Sequence, residues 1–92
     1  MRIIGEFDLD QIKVTVFKMN ERISVKYEYN LLEQTYKFRD GSGIQTVEDV
    51  RQYSDGEVIQ KINHIFSEMA NLRMTGINQL HQLNEDEFDE II

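Results

Sequence analysis

The strongest constraint on this chain is a change of period at Asp40-Gly41-Ser42-Gly43. Before that loop, apolar and aromatic residues alternate with polar ones over short runs, the period of half-buried β-strands. After it, apolar residues recur every three or four, the period of helices. Residues 11–19 place Ile12, Val14 and Val16 on one face and Lys13, Thr15 and Phe17 on the other. Asn20-Glu21 reads as a tight turn. Residues 22–30 then set Ile23, Val25, Tyr27 and Tyr29 against Ser24, Lys26 and Glu28. Two alternating runs joined by two polar residues signal a β-hairpin. A third run at 34–39 sets Tyr36 and Phe38 against Thr35, Lys37 and Arg39, after a turn near 31–33, and a less regular strand fits residues 2–8. The expected product is an antiparallel β-meander of three to four strands.

Thr46 and Asp49 stand at the spacing of a first helical turn, so residues 46–52 suit a short helix. Ser54-Asp55-Gly56-Glu57 matches the S-x-x-E capping box, which predicts the start of a longer one. Val58, Ile62, Ile65, Met69 and Leu72 follow at three- and four-residue intervals, flanked by Ile59 and Phe66. The pattern predicts an amphipathic helix over about 54–73, ending before Gly76. The fold class is therefore α+β, a meander packed on one long helix. The core is assigned to Ile12, Val14, Val25, Tyr27, Phe38, Ile62, Ile65, Phe66 and Met69. Residues 1–76 form one domain, and 77–92 make an acidic C-terminal segment with a short helix capped by Asn84 and Glu87.

Charge divides at the same loop. Residues 1–43 carry seven Lys/Arg and seven Asp/Glu, whereas residues 44–92 carry three and ten, which accounts for the whole net charge of −7. Such a balance repels phosphate backbones and anionic membranes at long range. A chain of 92 residues buries only about 60–65% of its unfolded surface, so one core serves every element. There is no cysteine, hence no disulfide, thiolate metal site or cysteine nucleophile. No run approaches the roughly 18 apolar residues of a membrane span, and residues 1–5 do not resemble a signal peptide. The expectation is a soluble, cytoplasmic protein.

Candidate chemistry is sparse. His64 and Glu68 stand four apart on one helix, within reach of a common ion, but no H-E-x-x-H accompanies them. Ser42, Ser54 and Ser67 read as turn, cap and exposed helix positions, and there is no G-x-S-x-G elbow. Residues 40–43 could cradle a phosphate through backbone N–H groups, yet they match neither the P-loop nor the dinucleotide pattern. The carboxylates of residues 85–90 crowd together without the contrast of environment that acid–base catalysis needs. No catalytic residue, metal ligand or cofactor is assigned, and the chain is read as a non-enzyme.

One surface remains. Opposite the apolar strand face lie Lys13, Thr15, Phe17 and Met19, then Arg22, Ser24, Lys26 and Glu28, then Thr35, Lys37 and Arg39. Five bases against one acid, with two large apolar side chains, make this face basic. The tail sets Phe88, Ile91 and Ile92 among five acids. Phe17, Met19, Lys26, Lys37, Phe88 and Ile91 are therefore the interface candidates. The expected function is protein–protein interaction or self-association, as a homodimer or with another protein. A small enzyme or active-site-completing subunit with a histidine/carboxylate site is one alternative. Nucleic-acid binding on the basic face is the other, opposed by the acidic half.

Overall fold

A computed structural model describes the backbone of residues 1–91 and the side chains of residues 1–82. Its element order is β1 (Arg2–Leu9), β2 (Ile12–Met19), β3 (Arg22–Tyr29), β4 (Leu32–Phe38), α1 (Val47–Tyr53) and α2 (Glu57–Ile91). The four strands form one antiparallel sheet in sequence order, so the chain is α+β with a meander sheet. Two-residue turns join the strands. Asp10, Asn20 and Asn30 open them at φ 55°, 57° and 51°, a region Asn and Asp tolerate best among residues with side chains.

The strands turn most of their apolar residues to one side. Phe7, Ile12, Val14, Val16, Ile23, Val25 and Tyr27 meet Val50 of α1 and Ile62 and Phe66 of α2 in a single core. The register stacks Phe7, Val14, Tyr27 and Gln34 in one row across the sheet. Gly5 lets α1 approach, since a β-carbon there would come 2.5 Å from Val47 Cγ2.

The polar groups of the core fix how the helices lie on the sheet. Ser54 Oγ donates to Val50 O at 2.7 Å, which leaves the buried Tyr27 hydroxyl to donate to Ser54 Oγ at 2.6 Å. Gln34 Nε2 donates to Ile62 O at 3.0 Å, and the Tyr36 hydroxyl donates to Gln34 Oε1. Among the described residues no buried side-chain polar atom lacks a partner.

Three expectations about the helical half are corrected. Ser54 does not cap α2; it closes α1, with its N–H bonded to Val50 O. Burial decides this, because the Ser54 hydroxyl is already committed to Tyr27 and Val50. The capping box belongs instead to Thr46 and Asp49 at the start of α1. Thr46 Oγ1 accepts from Asp49 N at 3.1 Å, and Asp49 Oδ2 accepts from Thr46 N at 3.0 Å. The N–H groups of Gln45 and Thr46 hold the Asp49 carboxyl below the usual carboxylate range.

The second correction is that α2 does not end near Arg73. It passes Gly76 without a break, because a helical Gly costs only about 1 kcal/mol relative to Ala and need not stop a helix. The third concerns Ile65, assigned to the core but 37% exposed. The sheet takes the seam of Ile59, Ile62, Phe66 and Met69, one flank of the apolar arc. Ile65 and Leu72 fall on the other flank.

Replacing Ile62 by Ala should therefore cost about 2–5 kcal/mol, whereas Ile65→Ala should cost about 1 kcal/mol or less. Urea unfolding of the two variants at low protein concentration checks the ordering. Burial also raises the Tyr27 phenol above its ordinary value. A raised pKa contributes stability that is complete below the unfolded value of about 10 and is lost as pH climbs past it. Thermal midpoints should fall above that pH, and the fall should be shallower in Tyr27→Phe.

Candidate interaction surface

The open face of the sheet is built by the same alternation that builds the core. The register sets Asp8, Lys13, Glu28 and Glu33 in one row, and Glu6, Thr15, Lys26 and Thr35 in the next. Ile3, Phe17, Ser24 and Lys37 make a third row. β1 and the start of β4 therefore add Glu6, Asp8 and Glu33, so that five bases share the face with four acids. The face is polarised rather than basic. Carboxylates gather toward the β1–β2 and β3–β4 turns; Arg22, Lys37 and the exposed Ile3 and Met19 lie toward the β2–β3 turn.

The expected interface residues divide on this face. Lys26 is engaged within the protomer, with Nζ 3.3 Å from Glu28 Oε1 and 5.4 Å from the centroid of the Phe17 ring. Phe17 is consequently half-buried, and Thr15 beside it is buried. Met19 and Lys37 are exposed. Phe88 and Ile91 lie outside the residues whose side chains are described.

α2 crosses the sheet toward the β3–β4 turn: Ile62 O meets Gln34, the Phe66 ring lies 5.9 Å from Tyr29, and Arg73 Nη1 donates to Asn30 O at 3.1 Å. Gln82 then stands about 13 Å beyond that turn along the helix. Met19 lies about 20 Å in the opposite direction along β2.

A second unpartnered surface lies along α2, and of its residues only Ile65 was expected in the core. Every residue from Met74 to Gln82 is exposed, and the molecule is 62 Å long because α2 overhangs the sheet. Leu72 is 73% exposed and Leu80 60%, with Met74 and Ile77 also exposed. Leu72, Gly76 and Leu80 stand at four-residue intervals, a row that starts on the flank of Ile65 and drifts to the line of Ile62. A β-carbon at Gly76 would meet nothing within 4 Å, so the protomer does not require glycine there. Residues 74–84 hold no Asp, Glu, Lys or Arg, in a chain of which 29% is charged.

A second signal lies at the turn where α2 departs. Leu31 is 98% exposed and sits at φ 65°, a left-handed conformation that costs a non-glycine residue about 1–2 kcal/mol. The bond from Arg73 to Asn30 O holds this turn beside the helix. Alternation could not reveal Leu31, because turn residues carry no period.

The residues considered for chemistry are dispersed. His64 Nε2 lies 3.3 Å from Glu68 Oε1, with both side chains largely in solvent. No group of three potential metal ligands forms among the described residues. Ser42 Oγ accepts from Ile44 N at 3.3 Å within its own loop. No described helix is long and apolar enough to cross a membrane. Comparison with protein families, with curated proteins and with solved structures returned no match.

Replacing Leu31 by Gly should relieve the left-handed conformation and stabilise the isolated protomer by about 1 kcal/mol. Chemical denaturation at low concentration measures it. A loss of stability would mean that Leu31 is held by contacts inside the protomer.

Proposed function

We propose that this chain is a protein–protein interaction module that self-associates through the exposed flank of α2. The observation that supports the reading is the overhang: the helix leaves the sheet with Leu72, Met74, Ile77 and Leu80 exposed. Large apolar side chains exposed along a solvated helix carry a solvation cost that a partner removes. Uncharged residues along the same stretch leave no like-charge repulsion against a second copy. The other readings draw less support. His64 and His81 are exposed on α2, and four carboxylates share the open sheet face with its bases.

Analytical ultracentrifugation from about 1 μM to about 1 mM should show a concentration-dependent dimer. Leu72→Glu and Leu80→Glu should make it monomeric, with protomer stability changed by no more than about 0.5 kcal/mol. A monomer at every concentration would overturn self-association.

A further inference from the structure

The exposed flank of α2 has a gap at its centre. Gly76 stands one turn from Leu72 on one side and one turn from Leu80 on the other, and the space above it is open. We infer that the occupant is the same row of a second copy running antiparallel, with a two-fold axis at the axial height of residue 78, so that each copy's Leu80 seats over the other's Gly76. This inference rests on the self-association reading and adds the partner's direction and register to it.

A two-fold contact must work in both directions at once: where residue i meets j, residue j meets i. An axis at position 78 sets 76 opposite 80 and 80 opposite 76, so one register fills both gaps. A glycine in a helix interior permits close approach of a neighbouring backbone. The protomer makes no use of that freedom at position 76.

Charge selects the direction. The uncharged stretch at 74–84 is bracketed by Arg73 before it and Glu85-Asp86-Glu87 after it. In the antiparallel register position 73 lies opposite 83. The acidic block of the second copy then begins two residues further on, about 3 Å along the axis, within the span of an arginine side chain. Arg73 uses one N–H on Asn30 O and has four further donors. A parallel pair in register would instead set acidic block against acidic block, which is destabilising.

The same register bears on one further exposure. The second copy's helix also passes the β3–β4 turn, where Leu31 projects beside Arg73.

The chain has no cysteine, so a nitroxide on Lys61→Cys labels one exposed site per protomer. Position 61 is 17 residues from position 78. Electron–electron distance measurement on the dimer should therefore give about 50 Å for the antiparallel pair, against less than about 20 Å for a parallel pair in register. Gly76→Gln, which the isolated helix accommodates, should raise the dimer Kd at least about tenfold. Arg73→Glu should weaken the dimer, and adding Glu87→Arg should restore it. A dimer with the short distance would overturn the antiparallel arrangement and leave self-association standing. The long distance with an unaffected Gly76→Gln would overturn the seating of Leu80. A monomer at every concentration would overturn both proposals.

Discussion

The Tyr27 hydroxyl sits in the middle of the core with no access to water, and among the described residues its one partner is the hydroxyl of Ser54. An unpaired buried phenol would cost about 1–3 kcal/mol, so the arrangement that supplies Ser54 is strongly selected. Ser54 must reach Tyr27 while bonding back to Val50, which makes it the last residue of α1 rather than the first of α2. Gly56, at φ 61°, then turns the chain into α2. A second constraint, Gln34 to Ile62 O, sets how far along α2 the sheet makes contact. Together the two contacts fix both helices on the sheet.

Geometry determines what those contacts leave uncovered. Four strands at about 4.8 Å spacing present a face wider than one helix of about 10 Å diameter. α1 covers the β1 side through Val47 and Val50, and α2 covers the β3–β4 side through Ile59, Ile62, Phe66 and Met69. Strands of seven and eight residues cannot underlie a helix of 35. Some of the α2 apolar arc is therefore left over, both along its flank and beyond the turn. Ile65, Leu72 and Leu80 are the residues that this mismatch exposes.

The open face of the sheet is largely internally satisfied. Lys26 folds over Phe17 and pairs with Glu28, while Lys13 lies between Asp8 and Glu28 in the strand register. Cross-strand pairs of opposite charge give this face solubility and help hold its register. Partial burial of Phe17 under a lysine stem is ordinary for an amphipathic side chain. Of the two surfaces, the helix flank is the more apolar and has fewer partners of its own.

Most of the architecture follows from local patterns. Alternation placed Ile12, Val14, Val16, Ile23, Val25 and Tyr27 on the buried face, two-residue polar turns made the meander, and Thr46 with Asp49 marked the start of α1. These signals act within a few residues, so a sequence carries them openly. The tertiary structure decided what depends on partners distant in the chain. Ser54 fits a helix cap in sequence and becomes a core hydrogen-bond acceptor once Tyr27 lies beside it, 27 residues away. Glu6, Asp8 and Glu33 balance the open face only once strand register brings them beside its bases. The apolar arc from Val58 to Leu72 announces a helix that must bury something. Which flank of that arc meets the sheet depended on two buried hydrogen bonds that no period in the sequence encodes.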